Sequence, residues 1–89
     1  YVAFAPHCVV SPVGTMASVH VCAAVPNFLA LEWHWMRNYD IWSNWVQEGN
    51  ILEGGFIAVP DRPGLGVTMD DETARSKRVP GTPWFEPWG

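Results

Sequence analysis

Charge, cysteine and long apolar runs are all scarce in this sequence. Only 16% of the 89 residues are charged, and the formal net charge is -4 with five Lys and Arg residues in total. Proteins that bind nucleic acids normally carry clustered positive charge, so we expect no nucleic-acid partner. The two cysteines, Cys8 and Cys22, form neither a CxxC nor a CxxH spacing, and we predict that both are free buried thiols.

No segment has the features of a membrane span or of a secretory signal. The most apolar stretch, residues 13–25, is shorter than the about 20 residues that a spanning helix needs, and it contains His20. The first residues lack a basic region followed by an apolar one. We therefore predict a cytoplasmic protein with no membrane partner.

Aromatic residues are abundant. They make up 13% of the chain and include six Trp, within a total hydrophobic content of 48%. Large aromatic side chains contribute most to cores and to pocket walls. The composition is that of an ordinary folded domain, with no sign of disorder.

Two short apolar runs, residues 2–5 and residues 28–31, resemble buried strands. Pro6 follows the first run, and we expect it to end strand pairing and to leave His7 just beyond the strand. Glu32 follows the second run directly. Each predicted strand therefore carries a titratable side chain at its carboxyl end.

A helix is predicted between the two runs. Ser11 and Pro12 suit the N-cap and first helical position, the apolar pattern continues to Ala24, and Pro26 closes it. Two strands joined by a crossover helix normally pair in parallel. Because chemistry in parallel α/β folds takes place at the carboxyl ends of the strands, we expect His7 and Glu32 to lie on one face.

The rest of the chain is predicted to contain short elements. Residues 33–38 form a polar and aromatic loop, Asp40 caps a short helix that includes residues 41–46, and Gly49 ends it. Residues 51–60 form a hairpin around a Gly-Gly turn.

Residues 61–67 form a turn-rich connector after the hairpin. Asp70 caps a helix from Asp71 to about Lys77, which has acids at its start and bases at its end. An irregular tail follows, in which Trp84 and Trp88 are expected to pack on a surface.

Three motifs together resemble a known family. They are Ala-Pro-His-Cys at residues 5–8, Pro-Asn-Phe-Leu-Ala-Leu-Glu at residues 26–32, and Val-Pro-Asp-Arg-Pro-Gly-Leu-Gly-Val at residues 59–67. In order and spacing they are similar to the C-terminal end of the mandelate racemase branch of the enolase superfamily. The closest similarity is to its sugar-acid dehydratases of the galactonate and gluconate dehydratase type.

The resemblance implies an α/β fold, the C-terminal part of a TIM-type (β/α) barrel. Residues 1–48 would provide strands seven and eight of the barrel with the intervening helix. Residues 49–89 would form a hairpin, connector and tail that pack with a capping domain. Since the chain begins with Tyr1, we expect it to be the C-terminal piece of a longer protein and to be inactive alone.

The resemblance also implies the site. His7 matches the histidine of a His-Asp dyad on strand seven, and Glu32 matches the glutamate beside the substrate carboxylate. The dyad aspartate and the ligands of a Mg²⁺ cofactor are expected upstream, so that no metal ligand is predicted in this chain. The substrate would be a small-molecule sugar acid, and the full-length enzyme a homo-oligomer.

The implied reaction explains these residue types. Removing a proton from the carbon next to a carboxylate creates a dianionic enediolate, whose charge Mg²⁺ neutralises in this superfamily. The imidazole of His7 could act as a base at C2, or as an acid for the departing 3-hydroxyl group. A protonated Glu32 could donate a hydrogen bond to the developing oxyanion. His34 and Trp33, beside Glu32, are candidates for substrate binding.

Two alternatives remain open from the sequence. A racemase, epimerase or cycloisomerase of the same superfamily would use His7 without expelling a hydroxyl group. A Trp-rich carbohydrate-binding or interaction module would have no catalytic residues. We expect His20 to be a packed or partly exposed helix side chain. We expect residues 64–66 to be a turn, because no phosphate-loop motif accompanies their glycines.

Overall fold

A computed structural model describes residues 2–34 and 39–85. Its helices and strands are, in chain order, β1 (His7–Cys8), α1 (Pro12–Ala24), β2 (Glu32–Trp33), α2 (Tyr39–Ser43), β3 (Leu52–Glu53), β4 (Phe56–Ile57) and α3 (Asp71–Lys77). The predictions for Trp88 and for the end of the loop at residues 35–38 lie outside the described residues.

The first three elements form the predicted strand-helix-strand unit. β1 and β2 pair in parallel, with His7 opposite Glu32 and Cys8 opposite Trp33. A further parallel bridge joins Phe4 to Phe28. The prediction of a parallel pair is therefore confirmed.

Pairing continues past Pro6, so the prediction that Pro6 ends it is wrong. The Pro6 carbonyl accepts a hydrogen bond from Glu32 N–H at 3.0 Å, and the Cys8 carbonyl accepts one from His34 N–H at 3.3 Å. Proline lacks only the donor, and its carbonyl can still take part in a ladder. His7 and Glu32 consequently lie within the paired strands rather than beyond them.

Helix α1 has the predicted boundaries. The Ser11 hydroxyl accepts a hydrogen bond from Gly14 N–H at 3.3 Å, Pro12 occupies the first turn, and the helix ends at Ala24. The Cys8 sulfur on β1 lies 3.5 Å from the Thr15 hydroxyl on α1, and both residues are buried. This contact holds the helix against the side of β1 opposite to His7.

Helix α2 differs from the prediction. Asp40 does not cap it, because the helix begins at Tyr39 and Asp40 lies in its first turn. The helix ends at Ser43, since the chain after it pairs with a distant segment. Val46 forms an antiparallel bridge with Met69, and the Trp45 carbonyl accepts a hydrogen bond from Asp70 N–H at 2.9 Å.

The hairpin of β3 and β4 turns at Gly54 and Gly55, as predicted. Their φ angles of 56° and 83° are those that glycine adopts without steric cost. Leu52 pairs with Ile57 and Glu53 with Phe56 in antiparallel register. Only these two residues on each side pair, so the strands are shorter than the apolar pattern at residues 51–60 suggested.

Helix α3 has its predicted bounds and its predicted cap. Asp70 Oδ1 accepts a hydrogen bond from Thr73 N–H at 2.8 Å. This bond favours the ionised carboxylate and lowers the pKa of Asp70. Asp71 and Glu72 lie in the first turn and Lys77 in the last, in agreement with the helix dipole.

The apolar runs beside β1 and β2, whose pattern is typical of buried strands, are mostly exposed in this chain. Val2 is 81% exposed and Leu29 is 68% exposed. The reason is that helix α1 covers only one face of the strand pair, whereas a parallel sheet is normally covered on both faces.

The connector provides a test of the fold through two glycines with positive φ. Gly64 has a φ of 64° and open space where a Cβ would be, whereas Gly66, with a φ of 77°, lies against the ring of Pro60. Gly64→Ala should lower the free energy of unfolding by about 1–2 kcal/mol, which is the strain of alanine in a left-handed backbone conformation. Gly66→Ala should lower the free energy of unfolding by about 1–3 kcal/mol more than this, because the added methyl group overlaps the ring of Pro60.

The measurement is urea-induced unfolding of the complete protein that carries this chain, with Gly64→Ala as the matched control. Equal losses of unfolding free energy in the two variants would show that the connector does not pack on Pro60 in solution.

Candidate active site

His7 and Glu32 form the centre of the candidate site. They are directly paired residues of a parallel ladder, so their side chains leave the strands on the same face. His7 Nδ1 lies 3.2 Å from Glu32 Oε1, and the two side chains are 69% and 65% exposed. The prediction that these residues share one face is confirmed, while their roles stay predictions.

The contact between them orients the imidazole more than it stabilises the fold. An exposed ion pair contributes about 0–1 kcal/mol to stability. Its geometric effect is that Nδ1 of His7 faces the Glu32 carboxylate, to which an N–H there can donate. The ring then has Nε2 as its second nitrogen for proton exchange with a ligand.

His34 lies on the same face as this pair. Its backbone N–H donates to the Cys8 carbonyl at 3.3 Å, so the ladder includes it. Side chains alternate along a strand, and His34 follows Glu32 by two positions. The imidazole is exposed. His7, Glu32 and His34 together are called the polar face below.

Trp33 is not part of the polar face. It follows Glu32 by one position and so points to the other side of the ladder, where its ring packs against Tyr39 and Trp42. The ring centroids lie 6.0 Å and 5.2 Å from that of Trp33, with the rings near perpendicular in both pairs. The structure therefore places Trp33 on the other side of the ladder from the remaining predicted site residues, and its role in substrate binding stays a prediction.

This aromatic cluster fastens α2 to the end of β1. Trp42 is buried, and its indole Nε1 donates to the Val10 carbonyl at 2.8 Å. Trp33, Tyr39 and Trp42 thus support the polar face from behind. The sequence indicated a core or pocket wall for the Trp residues: Trp42 is buried in the core, and the half-buried Trp33 lines the wall of a cavity.

The two cysteines lie behind the polar face as free buried thiols, as predicted. Burial, and then the nearby Cys8 thiol, raise the pKa of Cys22. A raised pKa keeps the Cys22 sulfur protonated and weakens it as a nucleophile. These positions favour a packing role.

Sequence patterns did not reveal two side chains that fasten the connector. His20 Nε2 lies 3.0 Å from the Leu65 carbonyl, so α1 holds residues 61–67 through a histidine. Arg62 Nε donates to the Gly66 carbonyl at 2.9 Å within the same connector. The His20 bond joins residues 45 positions apart, whose proximity depends on tertiary packing that no local spacing indicates, whereas the Arg62 bond is local to the connector.

Glu48 is a third side chain that holds the chain in place at the connector. Both oxygens of its carboxylate accept Thr68 N–H, at 3.0 Å and 2.9 Å. Burial raises the pKa of Glu48, but the hydrogen bonds from Thr68 and the charge of Arg62 outweigh it, so that the pKa is below its usual value. The ionised form is therefore favoured by the folded connector.

An apolar cavity of about 350 Å³ lies between α1, residues 28–31 and the hairpin. Its lining includes Val19, Cys22, Trp33 and Phe56. Trp33 belongs to the ladder face opposite to His7, so the cavity is not the place where the polar face acts. Its lining has none of the charged groups that a sugar acid would require.

The described residues do not by themselves supply a metal site. Across residues 2–34 and 39–85, no three His, Cys, Asp or Glu side chains are grouped so that they could hold a metal ion. None of the described helices is long and apolar enough to cross a membrane.

The family described as Enolase C-terminal domain-like matches residues 1–74, and the chain belongs to this family. A mandelate racemase/muconate lactonizing enzyme-like protein from Rubrobacter xylanophilus has a similar crystal structure. The TM-score is 0.83 at 45% sequence identity, over 94% of this chain and 22% of that one.

Three curated relatives carry the names of dehydratases. D-xylonate dehydratase of Haloferax volcanii is 41% identical over 97% of this chain and 21% of its own length. Arabinonate dehydratase of Saccharolobus solfataricus is 35% identical over 74% of this chain and 17% of its length. D-galactonate dehydratase of Ralstonia pickettii is 33% identical over 97% and 24%. The chain thus spans about a fifth of the length of these relatives.

These matches confirm the resemblance to the enolase superfamily and to its sugar-acid dehydratases. They also confirm the coarser fold prediction, the C-terminal part of a TIM-type barrel. The numbering of its strands as seven and eight, and the division into residues 1–48 and 49–89, stay predictions.

Proposed function

We propose that this chain supplies the proton-transfer side of the active site of a sugar-acid dehydratase. The enzyme, a hydro-lyase, would remove water from an aldonate and yield a 2-keto-3-deoxy acid. The observation that carries the proposal is the contact of His7 Nδ1 with Glu32 Oε1 at 3.2 Å on one face of a parallel strand pair. The names of the relatives support the reaction class.

The polar face suits this reaction because elimination needs both proton transfer and stabilisation of negative charge. In our proposal, His7 moves a proton, either from C2 of the sugar acid or to its departing 3-hydroxyl group. Glu32 lies at the substrate carboxylate and, when protonated, donates a hydrogen bond to the oxygen on which charge develops. His34 shares the face and would contact substrate hydroxyl groups.

The remaining parts of the site are proposed to lie in the complete protein outside this chain. They are the Mg²⁺ ligands and the aspartate of the His-Asp dyad that the family resemblance implies. The chain alone would then be inactive. Assembly into a homo-oligomer and a cytoplasmic location remain predictions, as does the expectation of no nucleic-acid or membrane partner.

The test is incubation of the complete protein with Mg²⁺ and a panel of aldonates that differ in the configuration at C2, C3 and C4. We expect a keto product from at least one of them. The same reactions in D₂O separate the alternatives. Exchange of the α-proton without loss of water would instead indicate a racemase or epimerase, and binding without turnover would indicate a non-catalytic module.

A further inference from the structure

The two paired segments of the ladder differ in length by one residue. Phe4 pairs with Phe28, and three positions further along the first segment His7 pairs with Glu32. Phe28 and Glu32 are four positions apart. Residues 29–31 therefore contain one residue more than the segment they face. Such an extra residue is a β-bulge, which is rare in parallel pairs and frequent next to active sites.

The bulge lies opposite Pro6. Phe4 donates to the Asn27 carbonyl and accepts from Leu29 N–H, both at 2.8 Å, which is regular parallel pairing. The next regular bonds would join N–H of residue 6 to the Leu29 carbonyl, and Leu31 N–H to the carbonyl of residue 6. Proline has no N–H for the first of these. In place of the second, the Pro6 carbonyl accepts from Glu32 N–H at 3.0 Å.

The extra residue decides which side of the ladder Glu32 faces. If pairing continued regularly from Phe4 and Phe28, Leu31 would face His7 and Glu32 would lie opposite Cys8. A shift of one residue moves every later side chain to the other face. Cys8 is only 1% exposed, so that side of the ladder could not accommodate an unpaired carboxylate without a large cost.

We infer that the bulge opposite Pro6 is the positioning element that keeps Glu32 opposite His7, because it absorbs the one residue by which residues 29–31 exceed the segment they face. Pro6 removes the hydrogen bond that would favour regular pairing. The apolar side chains of Leu31 and Trp33 then face away from His7. This inference rests on the proposed function for the role of Glu32, but its geometric part does not.

Two single-residue deletions in the complete protein test the inference. Deletion of Ala30 removes the surplus, so that regular pairing from Phe4 and Phe28 brings Glu32 N–H to the Pro6 carbonyl, as in the unchanged chain. Deletion of Ala5 shortens the facing segment instead and doubles the mismatch. We expect deletion of Ala30 to keep kcat within about 10-fold, and deletion of Ala5 to lower it at least about 100-fold, by misplacing the reacting groups.

A stability measurement gives a second readout that does not depend on activity. Pro6→Ala supplies a backbone N–H at residue 6. Only in the Ala30 deletion, where pairing is regular, does the Leu29 carbonyl lie opposite this N–H and accept a hydrogen bond from it. Pro6→Ala should therefore raise Tm more in the deletion background than in the unchanged protein. A merely structural role for Pro6 predicts the same change in both.

The outcomes separate this inference from the proposed function. If the unchanged enzyme dehydrates no aldonate, the function fails, while the Tm comparison and a crystal structure of the Ala30 deletion still decide the inference. Retained pairing of His7 with Glu32 in that structure supports it. Loss of this pairing, failure of the deletion variant to fold, or equal effects of Pro6→Ala in both backgrounds would overturn it.

Discussion

Replacing His7 by alanine in the complete enzyme should lower kcat about 10²–10⁴-fold, the range that a positioned acid or base contributes. KM should change little, because the interaction lost is one that acts during proton transfer. Folding should be preserved, since the side chain is 69% exposed and its ion pair contributes little stability. Steady-state kinetics on the best aldonate of the panel, together with thermal unfolding, measure these quantities.

His20→Gln is the matched control for this substitution. His20 is also a histidine of this chain, but it binds the Leu65 carbonyl on the connector, and glutamine retains an N–H for that bond. We expect its kcat to remain close to that of the unchanged enzyme. A His7→Ala enzyme that is as active as His20→Gln would remove His7 from the chemistry.

Changes at Glu32 should distinguish a hydrogen-bond donor from a charged base. Glu32→Ala removes the group that faces the developing charge and should lower kcat about 100-fold or more, as loss of one oxyanion donor does. Glu32→Gln retains an N–H donor on a side chain of similar size, so it should keep part of the activity. The order of kcat should therefore be Glu, then Gln, then Ala.

A second control for this series is Glu53→Gln, which changes an exposed carboxylate on the hairpin strand β3. It should leave kcat unchanged and exclude a general effect of net charge. Equal activity in the unchanged enzyme and both Glu32 variants would contradict the oxyanion role. Equal loss in Gln and Ala would show that the carboxylate itself is needed.

Local signals in the sequence were sufficient to predict the elements whose capping and turn contacts join neighbouring residues. Ser11 and Pro12 fixed the start of α1, and Asp70 fixed that of α3, because capping involves only residues within one turn. The turn at Gly54 and Gly55 is equally local. The two helices have the boundaries that their capping residues predicted, and the turn lies at the predicted glycines.

Elements that depend on distant partners could not be predicted in this way. Helix α2 ends early because Val46 pairs with Met69, and nothing near Ser43 indicates that pairing. The exposure of Leu29 depends on which faces of the strand pair are covered, which hydropathy does not specify.

The candidate site was predictable in its residues but not in its register. The motifs pointed to His7 and Glu32, and the strand-helix-strand pattern placed them together. Side-chain alternation counted from residue 28, which pairs with Phe4, would have placed Glu32 on the wrong face of the ladder. The bulge that corrects this gives no signal in an apolar run. The separation of Trp33 from the polar face follows from the same register.

The most direct test of the account is a crystal structure of the complete protein with Mg²⁺ and a sugar acid that it turns over slowly. We predict that the His7 imidazole and the Glu32 carboxyl group both lie within about 2.6–3.2 Å of polar or reacting groups of the same bound molecule. A sugar acid bound away from the polar face, or one that contacts neither residue, would contradict the account.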